Sequence, residues 1–233
     1  MTDRNKLMNW RRKVYLFIII GPLQYIIFTS LAMIFYAGGT ITNPNTVGYS
    51  FWQNFFSDLG RTIALSGRLN TVSFVMFTIS AIILALSLIL YILAIPVFFK
   101  EKMYKVRISK INLLLGVSAG ILLFGVIFTP WDIFSNIHMM FSKLFSLASL
   151  IILIYLMYLI LKNENYPNIY AYFYLIIILI ALIYSFMVLF GPELSTQEGL
   201  ILQASTQKFS QYSWLICFIV QGYGSIKLND LLF

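Results

Sequence analysis

Five long stretches of this chain are almost wholly apolar: 14–37, 72–99, 111–128, 139–161 and 169–190, with Lys143 the only charge inside any of them. A helix crossing a hydrocarbon core needs about 20 such residues. Each stretch therefore predicts a membrane-spanning helix, the third being the shortest. A sixth is less uniform. It is free of charge only over 209–226, has its apolar centre at 214–220, and begins as an amphipathic helix near Leu200. The pattern predicts an all-α bundle of six transmembrane helices in a single domain, the last over 200–226. Arg11-Arg12-Lys13 precedes the first stretch, but that stretch is too long for a signal-peptide core and no small-x-small cleavage site follows. It reads as an uncleaved helix, with a kink expected at Gly21-Pro22.

Small residues mark where the helices would approach. Ser66, Ser73, Ser80 and Ser87 recur every seventh position, Gly116 and Gly120 form a GxxxG, and Ser142, Ser146 and Ser149 share a face. In lipid such stripes serve as packing seams, because apolar side chains gain little by leaving lipid for one another.

Composition agrees with this reading. Of 233 residues, 60% are hydrophobic and 10% charged, and the mean hydropathy is +0.87. A soluble domain of this length could not hide so much apolar surface. The net charge of +8 does not point to nucleic acid, since the cations lie in short segments between apolar runs. Instead they set orientation. Six spans with the first end inside put Arg4, Lys6, Arg11, Arg12, Lys13, Lys100, Lys102, Lys105, Arg107, Lys110, Lys162 and Lys227 on the cytoplasmic side, and only Arg61, Arg68, Lys143 and Lys208 outside. Both ends are then cytoplasmic, in the plasma (cell) membrane of a prokaryote. The acids divide evenly: Asp58, Asp132, Glu193 and Glu198 outside, Asp3, Glu101, Glu164 and Asp230 inside. The basic inner face suits an anionic leaflet.

Candidate chemistry therefore gathers at the outer helix ends. The first outer loop carries Asp58, Arg61 and Arg68; the second carries Asp132, Asn136, His138 and then Lys143; the third leads to Gln203, Gln207, Lys208 and Gln211. Lys143 has two readings: its ammonium snorkels to the interface, or it pairs with Asp132 or Asp58 inside the bundle. Gln203, Gln207, Gln211, Trp214 and Gln221 fall within about 80° of one another on a helix, so this stripe should face the bundle interior. It serves either a polar pocket or interhelical hydrogen bonds, with Gln24 a possible structural partner. Trp52, Trp131 and Trp214 read first as interfacial anchors.

Familiar catalytic patterns are missing. One histidine and one cysteine, Cys217, give no zinc-site set, no disulfide and no CxxC, and no phosphate-binding glycine loop is present. No metal and no cofactor are predicted, and whether the protein is an enzyme is left open.

Ser57-Asp58-Leu59-Gly60 after the first helix, Phe128-x-Pro130-x-Asp132 closing the third and His138 opening the fourth resemble the domain of unknown function 998 family. That family groups with six-helix membrane proteins of the Frag/DRAM/Sfk type. The resemblance covers most of the chain and implies that Asp58, Asp132 and His138 are the polar positions. It also implies an arginine in the last loop, where this chain has Gln203 and Lys208. Its theme is lipid organisation and lipid-anchor remodelling. The first expectation is thus a membrane protein binding a lipid headgroup in a polar outer pocket of Asp58, Arg61, Arg68, Asp132, His138, Lys143, Gln203, Gln207 and Gln211, with membrane lipids as partners. One alternative is an intramembrane lipid-modifying enzyme with His138 as general base oriented by an Asp. Another is a small-solute permease, which the apolar inner halves of helices four and five disfavour.

Overall fold

The structure, a computed structural model, describes residues 3–99 and 102–232. Lys100 and Glu101 lie outside the described residues, as do the side chains of Asp3, Arg4, Lys6, Lys102 and Lys105. Six helices follow in order: α1 Asp3–Ile34, α2 Thr71–Ala94, α3 Lys102–Ile127, α4 Trp131–Leu161, α5 Ile169–Phe190 and α6 Gln197–Leu232. Among the described residues the only β-pairing is an isolated bridge between Ile63 and Leu69. Five helical segments are long and apolar enough to cross a membrane: Trp10–Ile34, Thr71–Phe98, Val106–Ile127, Trp131–Leu161 and Ile169–Phe190. The chain is an all-α integral membrane protein.

Each helix packs on its successor, and α6 returns against α1, so the six close a ring. Short connections make neighbours antiparallel. The starts of α1, α3 and α5 and the end of α6 therefore meet at one end, called here the terminal end. The other, the cap end, carries the long α1–α2 connection. The seam between α1 and α2 is built on the predicted serines: Ser73, Ser80 and Ser87 are fully buried, and a Cβ on Gly21 would collide with the Ser87 side chain. Gly120 plays the same part between α3 and α2, where a Cβ would come within 2.9 Å of Ile89. The third stripe behaves differently, because Ser146 is exposed and only Ser149 turns toward the interior.

Several helices extend beyond the apolar stretches, α1 back to Asp3, α3 back to Lys102 and α6 on to Leu232. Helix α4 starts at Trp131, eight residues before 139, because Pro130 supplies an extended residue from which a helix can begin. A break at Phe134 (φ −127°, ψ 44°) separates that first turn from the rest. Pro22 lies inside helix α1.

The α1–α2 connection is a folded cap. Gly38, Gly39, Gly48 and Gly67 adopt positive φ, and a Cβ on Gly39 (φ 89°) would strike the backbone of Leu65 and Ser66. A 3₁₀ turn at Phe56–Gly60 dips into the ring, where Phe56 meets Tyr25 of α1 at 6.2 Å and Tyr212 of α6 at 5.5 Å between ring centroids. Phe56, Leu59, Ala32, Tyr36 and Ala64 form a small core of their own beneath the cap.

Candidate functional site

The deepest polar feature at the cap end is a lysine. Lys208, 11 residues into α6, is 2% exposed. Its ammonium donates to the backbone carbonyl of Asn54 and lies over the rings of Tyr49, Phe51 and Phe56, 5.4, 5.2 and 5.7 Å from their centroids. A lysine is tolerated at such burial only if it finds acceptors or π faces to replace water. The carbonyl of Asn54 also accepts from the Tyr49 hydroxyl at 3.1 Å.

Around this contact the cap is closely bonded. The Asp58 carboxylate, 6% exposed, accepts from the Phe55 N–H at 2.8 Å and from the Asn54 amide at 3.2 Å. Burial pushes its carboxyl above the usual carboxylate range, against the opposing pull of those two donors and of the Arg61 and Lys208 charges. The Asn54 amide also donates to the Gly39 carbonyl at 2.9 Å, and Gln207 of α6 accepts from the Phe56 N–H at 2.9 Å. Asp58, Gln207 and Lys208 together fasten the 3₁₀ turn into the mouth of the ring.

The other predicted residues have separate tasks. Asp132, in the first turn of α4, accepts from the Thr62 N–H at 3.0 Å, the Thr62 hydroxyl at 2.5 Å and the Ile63 N–H at 2.9 Å. It clamps the 62–70 hairpin to α4. The Arg61 Nε donates to the Ile63 carbonyl at 3.1 Å, and Arg68 is exposed at the hairpin tip. His138 is 8% exposed; its Nδ1 lies 2.7 Å from the Thr129 carbonyl and its ring packs edge-on against Trp131. It links α4 to the end of α3, with no carboxylate orienting it. Gln203 donates to the Pro192 carbonyl at 2.7 Å, and Gln221 to that of Tyr170 at 2.7 Å. The glutamine stripe thus faces protein and joins α6 to α5 and the cap. Gln24 instead bridges to α2 through the Ser80 carbonyl at 2.9 Å.

Lys143 stands apart from this cluster. It is exposed, about 160° around α4 from Phe145, which points inward to Trp214. It lies on the outside of the bundle rather than inside it with Asp58 or Asp132. Gln211 is the remaining predicted residue: it is half-exposed, makes no hydrogen bond among the described residues, and lies one turn before Trp214. Trp214 lines a small apolar cavity of about 30 Å³ inside the ring, together with Ala85 and Leu88 of α2, Ala119 of α3, and Phe145 and Ser149 of α4. Among the described residues no three His, Cys, Asp or Glu side chains come together as metal ligands.

The structure therefore divides the predicted outer pocket into a closed cap fastening (Asp58, Gln207), a hairpin clamp (Asp132), helix ties (His138, Gln203) and outward groups (Arg68, Lys143). Sequence reasoning named Lys208 among the outer groups but left it out of the pocket, and it missed Asn54 and Tyr49. The available signal was the depth of Lys208 in α6, combined with its sharing a helix face with Ala204 and Leu215. Compared with protein-family models, curated proteins and solved structures, the chain matches none.

Proposed function

We propose that the protein is a six-pass membrane protein, both ends cytoplasmic, that accepts an outer-leaflet lipid against the cap halves of α4, α5 and α6. One observation carries this reading. From Met139 to Ile151 no residue of α4 is buried, and none of α5 is buried from Leu179 to Phe190. A helix that contributes to a closed bundle hides a stripe along its length. These helices do so only at the terminal end, through Ile152, Leu153, Leu156, Leu159 and Ile160 of α4 and Ala171, Tyr174, Ile177 and Ile178 of α5. On the cap half they touch the ring only through half-buried side chains, such as Phe141 against Gly125 and Phe145 against Trp214, beside the apolar cavity under Gln211. That space would take the end of an acyl chain, with the Gln211 amide facing the polar part of the lipid.

The sixth pass is supported by α6 itself. It holds the cap through Gln207 and Lys208, and reaches Tyr15 and Ile18 near the start of α1 through Gly222. Arg11, Arg12, Lys13, Arg107, Lys110, Lys162 and Lys227 all belong to the terminal end, which orients that end to the cytoplasm. The terminal half of the ring is closed by buried Tyr91, Tyr174, Leu153, Leu156 and Phe218. Such a closed core favours lipid accommodation over passage of a solute.

The lipid reading is tested by measuring lipid that co-purifies with the protein in mild detergent. Filling the cavity with Ser149→Trp, or removing the amide with Gln211→Ala, should strip retained lipid while the folded protein persists. Equal lipid content in all three forms would sink the reading. For topology, a Val47→Cys protein should react with an impermeant maleimide on intact cells, and Asn165→Cys only after permeabilisation. Both positions are exposed, while the native Cys217 is buried.

A further inference from the structure

A second polar group, unrelated to the cap, lies at the terminal end. Asn229 of α6 is fully buried, and neither its amide nitrogen nor its amide oxygen has a hydrogen-bond partner. The Tyr15 hydroxyl of α1, also fully buried, has none either. A buried amide left bare in apolar surroundings is strongly unfavourable, so nearly all such groups are satisfied by protein or by ordered water.

Helix geometry turns the two orphans toward each other. Gly222 packs on the Ile18 and Ile19 side chains and the Tyr15 backbone carbonyl of α1. Asn229 lies seven residues later, about 20° from Gly222 on the helix surface, so it faces α1 too. Helical side chains lean toward the N-terminus of their own helix. In antiparallel α1 and α6, Tyr15 therefore leans toward the terminal end and Asn229 leans back toward Tyr15. Tyr15 stacks on Phe98 at 5.4 Å, and Phe98 meets Tyr166 at 5.6 Å. The Tyr166 hydroxyl is 3.0 Å from the Ser225 hydroxyl, one turn before Asn229. The nearest charge is the half-buried Arg11, one turn before Tyr15 on α1; among the described residues the buried charged side chains, Asp58 and Lys208, are at the cap end.

We propose that Tyr15 and Asn229 form a binding site for ordered water between α1 and α6, beside the Ser225 hydroxyl that already bonds Tyr166. The amide offers two donors and two acceptors, and the Tyr15 hydroxyl can accept and donate. An occupant that uses all of these without charge must be small and neutral, and water meets that description with its usual three or so bonds. The water would bridge the first helix to the last and so help close the ring at its terminal end.

The test uses the full chain in lipid nanodiscs. Asn229→Leu and Tyr15→Phe should each lower the unfolding temperature by a few degrees, and the double variant should lose less than the two losses added, because both act on one bridge. X-ray-generated hydroxyl radicals mark side chains beside bound water, so Tyr15 should be labelled in the wild type despite its burial. An Asn229→Leu protein as stable as the wild type, or more so, is what a bare amide predicts and would overturn the site. If that variant does not fold, an unlabelled Tyr15 in the wild type is equally decisive against it.

Discussion

Replacing Asp132 with alanine separates a structural clamp from a ligand-binding carboxylate. Three donors converge on this side chain, from the Thr62 N–H, the Thr62 hydroxyl and the Ile63 N–H. A hydrogen bond to a charged group contributes about 1.5–3 kcal/mol when well buried. Asp132 is only partly buried, and solvent competes for it, so about half of that applies to each bond. Three bonds then give about 2–4 kcal/mol, all of it local to the contact between hairpin and helix. Every 1.4 kcal/mol is a factor of about ten in an equilibrium, so the hairpin should open on the order of a hundredfold more often. Hydrogen exchange reads this directly. The Ala64 N–H bonded to Arg68 and the Asn70 N–H bonded to Thr62 should lose protection in Asp132→Ala, while amides in the middle of α2 do not change. Asp132→Asn should recover part of the protection, because its amide oxygen can take the Oδ2 place while its nitrogen faces the Thr62 N–H. Thr62→Val removes one donor and should give a smaller loss. Unchanged exchange across 62–70 in Asp132→Ala would refute the clamp and return Asp132 to the candidate ligand groups.

Three further outcomes follow from the cap. Lys208→Met keeps most of the stem volume and relieves the desolvation of an ammonium, so it should destabilise by about 1 kcal/mol, whereas Lys208→Ala also empties the space among Tyr49, Phe51 and Phe56 and should lose about 2–4 kcal/mol more; equal unfolding temperatures for the two would contradict this packing. Asp58 holds its proton more tightly folded than unfolded, so its contribution to stability is present below about pH 4 and is lost as pH rises through the raised folded value. Unfolding temperature measured against pH should show that decline, and Asp58→Asn should flatten it. Gly39→Ala adds a Cβ at positive φ against the backbone of Leu65 and Ser66, which should cost about 1–3 kcal/mol, read as increased proteolysis of the cap; a variant as resistant as the wild type would show that the loop accommodates the methyl group.

How much of this was legible depends on what a membrane sequence encodes. Length and apolarity located five crossing helices to within a few residues at most boundaries. The start of α4 was missed because Asp132, Ser135, Asn136 and His138 are polar enough to read as loop, although Pro130 marks a helix start. Sequence also gives depth, through distance from a helix end, but not azimuth. In a soluble helix the polar side faces water. In a membrane both neighbours and lipid are apolar, so the pattern around a charge does not say which way it turns. Lys143 and Lys208 lie at nearly equal depths from the starts of α4 and α6, yet one is exposed and the other is 2% exposed. Grouping Asp58, Asp132 and His138 by their shared depth predicted one pocket. Their azimuths send them to three different contacts.

The same physics explains why α6 falls outside the helices apolar enough to cross while the proposed topology requires it to. Hydropathy treats every side chain as though lipid surrounded it. Along α6 the polar residues meet protein instead: Gln203 bonds Pro192, Gln207 bonds Phe56, Lys208 bonds Asn54, Gln221 bonds Tyr170 and Ser225 lies against Tyr166. Each bond cancels a transfer penalty that a hydropathy average still counts. Outward positions of the same helix, such as Phe209 and Ile216, are apolar and exposed. A pass of this kind is stable only when its partners are in place, so α6 should insert last and depend on the cap. Weakening the cap fastening with Lys208→Ala should therefore impair membrane integration of α6, detected as cytoplasmic loss of a reporter fused after Leu232, before it affects α1–α5. Full integration of α6 in that variant would mean that its polar face does not rely on the cap.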